Sequence, residues 1–345
     1  MFPPLRVLAR TFGVYFIVKR DIDLQRDLQK LPDSWKVINS NPEEDVYIFV
    51  IGESVRRDFV EIYNPRFKNS SFLSSIPKIQ FNNVLSYAGT TLESLSNAIV
   101  SDDAQGKTFF PNNIVTLSRK ADFEVNWISN QGSIAGSDNF IAAMAKTADF
   151  FKFTTRGKGV TFQSDDKLLD IFQQQIQSKT KRKKVIFLHL MGSHPAPCDI
   201  PMADKYKEFV ISNDISCYNE TLKRTDNFLK NVYDIAQKNR KSFKIVYFAD
   251  HGLLVDNYTL YHGSKHKQNY EIPFVIIDPK LNETVYIDEY RNLKDFLTFY
   301  TQFLNIKTEN LKPSYQFISD EKAKNAFELY DNFNYENLSD NPIPE

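Results

Sequence analysis

Three apolar runs stand out along the chain: residues 46–51, 185–190 and 245–248. Runs of this length with no polar alternation predict strands covered on both faces. Residues 81–85, 125–128 and 274–277 read as further strands. Between the strands, apolar residues recur at helical spacing. Leu92, Leu95 and Ile99 mark a helix over 91–100, and Leu168, Leu169, Phe172 and Ile176 mark another beginning near Ser164. Tyr218, Leu222, Leu229 and Val232 line one face of a long helix over 217–237, and residues 293–304 form a late one. Ser54 offers an N-cap for a helix over 55–63, which Asn64-Pro65 would end. Residues 179–184 read as a solvated basic turn. Strands alternating with helices predict an α/β fold, a three-layer α/β/α sandwich with a mostly parallel central sheet. The expected organisation is an N-terminal segment over 1–45, one large domain over 46–310, and a polar tail over 311–345 holding a surface helix and a loose end.

Open α/β sheets build their sites where the carboxyl ends of strands meet the following loops. Four stretches supply chemistry there: Gly52-Glu53-Ser54, Gly89-Thr90-Thr91, Gly192-Ser193-His194 and Asp250-His251-Gly252. Adjacent Asp250 and His251 can ligate one metal only where the chain turns out of its strand, and Gly252 is expected to permit unusual backbone angles there. Alone, the pair would read as a capping Asp beside a structural His, and Glu53 as a solvated strand end. Their shared edge of the sheet joins them. Thr91 opens a helix, where a cap is the ordinary role, but backbone N–H groups and the helix dipole also favour a phosphoryl group. A bound divalent cation lowers the pKa of coordinated water from about 15.7 to about 7 and should act similarly on a hydroxyl. Thr90 is a rival for that role. His194 and His262 could hold a second metal or clamp phosphoryl oxygens. His189 lies within a strand and reads as structural, while His266 fits either role.

Composition narrows the partners. With 43 basic and 43 acidic residues the formal net charge is zero, and nothing in it suggests a nucleic-acid or polybasic membrane partner. Phe and Tyr number 29 and 17, more than a core ordinarily needs. Cys198 and Cys217 are either buried thiols or one disulfide, and an oxidising compartment would favour the bridge. The longest uncharged N-terminal run, 11–18, is under half of the roughly 20 residues a spanning helix requires. As given, the chain reads as soluble.

In order, the chain carries Val50-Ile51-Gly52-Glu53-Ser54-Val55-Arg56-Arg57-Asp58-Phe59, Thr91-Leu92-Glu93-Ser94-Leu95, Trp127-Ile128-Ser129-Asn130-Gln131, Met191-Gly192-Ser193-His194-Pro195, Tyr218-Asn219, Ala249-Asp250-His251-Gly252, His262-Gly263 and Ile272-Pro273-Phe274. This series resembles the alkaline-phosphatase/sulfatase superfamily, and within it the bacterial phosphoethanolamine transferases of lipopolysaccharide. The resemblance implies one zinc ion, with a second as an option, held by Glu53, Thr91, Asp250 and His251, with Thr91 as nucleophile. It pairs Thr91 with Ser94, matches His194 and His262 to positions that hold phosphate or a second zinc, and sets Asn130 near the phosphoethanolamine group. It further implies a phosphatidylethanolamine donor and a lipopolysaccharide core acceptor. The protein would act as a monomer at the periplasmic face of the bacterial inner membrane, anchored through a segment this chain is expected to lack. Ala88 and Asn97 stand where the lipid A branch has a disulfide flanking its threonine, which favours the branch acting on inner-core heptose. Rival readings are a manganese-dependent phosphoglycerol transferase, a phosphodiesterase or phosphonate hydrolase, and a non-catalytic binding module. No cysteine sits in a sulfatase-type maturation motif.

Overall fold

The computed structural model describes residues 31–103, 108–132, 139–155, 163–200, 212–239, 241–256, 259–263 and 265–343. The expectations for residues 1–30, including the run at 11–18, lie outside them. A nine-stranded sheet forms the centre. Its strands are β1 (Val46–Gly52), β2 (Ile79–Leu85), β3 (Glu124–Gly132), β4 (Phe150–Thr155), β5 (Lys184–His189), β6 (Phe243–Ala249), β7 (Glu271–Ile277), β8 (Val285–Ile287) and β9 (Arg291–Asn292). The order is β8-β2-β7-β6-β1-β5-β3-β4, with β9 also pairing to β2. All neighbours are parallel except β7, which is antiparallel to both β2 and β6. Among the described residues no α-helix lies between Ala249 and Glu271; a short antiparallel pair, Leu254–Val255 with Leu260–Tyr261, and the 3-10 turn Lys267–Asn269 fill the connection.

The helices are α1 (Ser71–Ser75), α2 (Thr91–Ile99), α3 (Ile114–Lys120), α4 (Asn139–Ala145), α5 (Lys167–Gln177), α6 (Asn213–Lys238) and α7 (Phe296–Phe303). Strand alternation divides them between two layers. Tyr47, Phe49 and Ile51 of β1 face a core shared with Leu95 of α2, Leu117 of α3 and Phe296 of α7. Val46, Ile48 and Val50 face the opposite core, with Phe72 of α1, Phe172 of α5 and Leu229 of α6. Each fully buried apolar side chain of this kind contributes about 1.5–3 kcal/mol. The three-layer α/β/α arrangement and mostly parallel sheet are therefore present.

Three local expectations are corrected. No α-helix forms over 55–63; a single 3-10 turn, Arg57–Phe59, takes its place. Ser54 has a positive φ of 57° and its hydroxyl bonds Glu53 at 2.6 Å instead of capping. Ser54, Val55, Arg56, Phe59 and Val60 are all buried, a set that does not fall on one face of a helix. Lys184 is not part of a solvated turn. It is 1% exposed and begins β5, its ammonium satisfied by the Ser178 carbonyl and hydroxyl and the Gln175 carbonyl.

The third correction concerns the tail. Beyond α7 the described chain contains one short strand, Ile306–Thr308, and 3-10 turns, with no α-helix. It is anchored by Phe317, Leu329 and Tyr335, all buried. Upstream, Val37–Ser40 pairs antiparallel with Ile306–Thr308, so residues 37–40 are also part of the folded body.

Candidate metal centre

The carboxyl ends of β1 and β6 lie side by side, joined where the Asp250 N–H donates to the Gly52 carbonyl at 3.1 Å. Glu53 and Asp250 leave these strands together. Asp250 is fully buried, and its Oδ1 accepts the backbone N–H groups of Ser54 (2.9 Å) and His251 (2.8 Å). The left-handed backbone at Ser54 accompanies the first of these contacts. Oδ2 has no hydrogen-bond partner and lies 3.4 Å from His251 Nε2. Glu53, 1% exposed, brings Oε1 to 3.6 Å from the same nitrogen. His251 bonds the Gly252 carbonyl through Nδ1 at 2.7 Å. A carbonyl only accepts, so Nδ1 donates this bond and Nε2 is the ring atom left to face the two carboxylates.

Thr91 is the first residue of α2. Its hydroxyl donates to Glu53 Oε2 at 3.0 Å and lies 3.4 Å from His251 Nε2. No side chain caps this helix, so its first-turn N–H groups have no side-chain acceptor at the N-cap Thr90. Thr90 is exposed, whereas Thr91 is half-buried and turned to the acidic pair.

Ligand atoms of Glu53, Asp250 and His251 lie within 4.8 Å of one another, all buried. Two desolvated carboxylates, one oxygen without a hydrogen-bond partner, and an imidazole nitrogen form a donor set that fits a divalent cation of the zinc type. Buried anions at this spacing repel unless a cation joins them.

Two histidines flank the cluster. The His262 ring is 4.9 Å from that of His251 and 6.3 Å from that of His194. Burial first, then repulsion by His251 and His194, pushes His262 down to about 4, so it is neutral at neutral pH. Burial also lowers His194. His189 is buried near Ser129 Oγ (3.4 Å), and burial brings it down to about 4, as suits a structural residue. His266 pairs in a β-bridge with Ser339 and is not part of the Glu53, Asp250 and His251 group.

Ser94 is buried and donates to the Asp250 carbonyl at 2.6 Å, holding the metal-side loop from behind. Asn130 is committed internally: it donates to Asp165 Oδ1 (2.7 Å) and the Gln163 carbonyl (3.0 Å) and accepts from Thr154. Its neighbour Gln131, which sequence reasoning did not single out, donates to Glu53 Oε2 at 3.2 Å and to the Leu190 carbonyl at 2.7 Å. Asp165 was also missed. It accepts the N–H groups of Met191 (2.8 Å) and Gly192 (3.0 Å), shaping the loop that carries His194.

The glycines act by space more than by angle. Gly252 does not have positive φ; a Cβ there would lie 2.1 Å from the Gln268 carbonyl oxygen. Gly192 does, at 50°, and a Cβ would press on the Glu53 backbone at 2.9 Å. Cys198 and Cys217 form a disulfide that ties the 3-10 turn Pro197–Asp199 to the first turns of α6.

Comparison with known proteins places this geometry. The family model described as Sulfatase matches residues 45–306. The phosphoethanolamine transferase OpgE of Escherichia coli (strain K12) is 37% identical over 306 residues, covering 86% of this chain and 57% of the relative. The chain thus spans little more than half the length of that curated relative. Among solved structures, the C-terminal periplasmic domain of EptC from Escherichia coli in complex with zinc aligns with a TM-score of 0.69 at 18% identity, covering 88% of this chain and 96% of that one. The soluble domain of lipooligosaccharide phosphoethanolamine transferase A from Neisseria meningitidis gives 0.62 at 17% identity, covering 81% and 93%. Both likenesses are of fold. Among the described residues, no helix is long and apolar enough to cross a membrane.

Proposed function

The chain belongs to the sulfatase family, and we propose that this domain is a zinc-dependent phosphoethanolamine transferase that works through Thr91. The observation that carries the reading is the Thr91 hydroxyl, placed at the amino end of α2 and aimed at Glu53 beside His251. The name of the 37% identical relative supports the transferred group. Glu53, Asp250, His251 and Thr91 would hold the metal. When bound, it would lower the pKa of the threonine hydroxyl and offset charge on the phosphoryl oxygens.

The residues then divide the work. Thr91 Oγ1 attacks the phosphorus of phosphatidylethanolamine. The new bond is Oγ1–P, the bond broken joins phosphorus to the glycerol oxygen, and the hydroxyl proton leaves with diacylglycerol. Glu53 Oε2, already the acceptor of that hydroxyl, is positioned to pass the proton. A sugar hydroxyl of the acceptor next attacks phosphorus, the Oγ1–P bond breaks and the sugar's proton returns to Thr91 Oγ1, completing covalent catalysis in two displacements. Neutral His194 and His262 stand where phosphoryl oxygens would be received. We place the acceptor in a lipopolysaccharide core and the domain in the periplasm. The periplasmic origin of the EptC domain supports the compartment, and the lipooligosaccharide named for the Neisseria meningitidis protein supports a glycolipid acceptor.

The test is peptide mass spectrometry after zinc-loaded protein meets phosphatidylethanolamine. A phosphoethanolamine adduct on the Thr91 peptide is expected, and Thr91→Ala should abolish both adduct and transfer. An adduct elsewhere, or full transfer by Thr91→Ala, would refute the assignment.

A further inference from the structure

Beside the amino end of α2 lies a groove of about 320 Å³ built from three separate parts of the chain. Thr90, Glu93 and His262 form its inner wall, and Tyr330, Asp331 and Phe333 of the C-terminal segment form the outer one. Tyr330 and Phe333 are 40% and 42% exposed, so both present ring surface to solvent. Neither Glu93 nor Asp331 has a lysine or arginine partner among the described residues. Lys294 bonds the Tyr87 hydroxyl at 3.2 Å and covers its ring, which in turn meets Tyr330 edge-on at 6.2 Å.

The groove also adjoins an unmet donor. Asn269 is fully buried, and its Oδ1 accepts the Gly263 N–H at 3.3 Å. Its Nδ2 has no partner. That nitrogen lies so close to Gly89 that a Cβ there would stand 1.9 Å from it, and Gly89 and Gly263 both line the groove. Buried donors are ordinarily satisfied, so an orphan beside a cavity marks where an incoming oxygen belongs.

We propose that this groove receives the aminoethyl arm of the transferred group. The ammonium lies between Glu93 and Asp331 against the rings of Tyr330 and Phe333, and Asn269 donates to an oxygen of the phosphoester. Two carboxylates without counter-charge favour a cation, and exposed aromatic faces add cation–π attraction. A glycerol arm would leave both carboxylates unneutralised, so the groove selects ethanolamine over glycerol. The inference rests on the transferase reading for the phosphoryl group, but its test does not require turnover.

Zinc-loaded wild-type protein would be titrated with O-phosphoethanolamine and, separately, with ethyl phosphate, which lacks only the ammonium. The expected result is about tenfold tighter binding of the first, the order set by part-exposed ionic contacts. Glu93→Gln and Asp331→Asn, both nearly isosteric, should each shrink this preference and together erase it. Equal affinity of wild type for the two ligands, or an undiminished preference in the double variant, would overturn the proposal. Failure of the transferase reading would appear elsewhere, as the absence of an adduct on Thr91.

Discussion

Asp250 divides its two oxygens between tasks, Oδ1 to two backbone N–H groups and Oδ2 to the cluster. Glu53 is held in the same manner, by Ser54, Thr91 and Gln131. Such supporting hydrogen bonds commonly govern metal affinity by about 10- to 100-fold. Gln131→Ala should therefore weaken zinc binding by roughly that factor in a chelator competition, with the fold intact. Unchanged affinity would remove Gln131 from the site's support. Glu53, Thr91, Asp250 and His251 were legible because each stands at the end of a run or the start of a helix. Gln131 was not, because Asn130 and Gln131 are equally polar neighbours within β3. Which of them reaches Glu53 depends on the pleat, and sequence spacing does not report that parity.

At the scale of elements, long apolar strands and one-faced helices formed where their periodicity predicted them. The failures share a cause. Residues 55–63 are buried on several sides, and the contacts that bend them come from α6, where the Tyr218 hydroxyl accepts the Arg56 N–H and donates to the Ser54 carbonyl. Helix α1 shows a related dependence, since its amino end is capped from α6 by Asp226, which accepts the N–H groups of Phe72 (2.7 Å) and Leu73 (3.0 Å). Burial raises this carboxyl from its ordinary 3.8 to about 6 in the folded protein. The folded state therefore holds a proton between those values that the unfolded chain has released. Stability from this group is full below about 3.8 and declines as pH rises through about 6. A shift of this size corresponds to roughly 3 kcal/mol. In denaturant melts, wild type should lose stability relative to Asp226→Asn between pH 4 and pH 7. Parallel curves would contradict the shift.

Over the whole molecule, the C-terminal segment is a working part of the body. Arg56 is fully buried, and its guanidinium bonds Asp58 twice and the side chain and carbonyl of Asn341. Asn341 also exchanges hydrogen bonds with Val255 through its amide, so one residue fastens the tail to both segments flanking the site. Asn341→Ala would leave part of a buried cation unsatisfied, at a cost of about 1–3 kcal/mol. Chemical denaturation should show that loss, and hydrogen exchange should quicken over residues 317–343. No change in either would mean that the tail is held by Phe317 and Leu329 alone.

The sequence by itself determined where the strands and most helices lie, that the sheet is covered on both faces, and which candidate ligands stand at strand ends. Periodicity records burial on the faces of an element, and that information is local. Only the tertiary structure decided that residues 55–63 would not wind into a helix, that Gln131 and not Asn130 would reach Glu53, and that the tail would wall a groove beside Thr91. Each depends on contacts between residues far apart in the chain, 285 positions in the case of Arg56 and Asn341. No local pattern encodes a separation of that length.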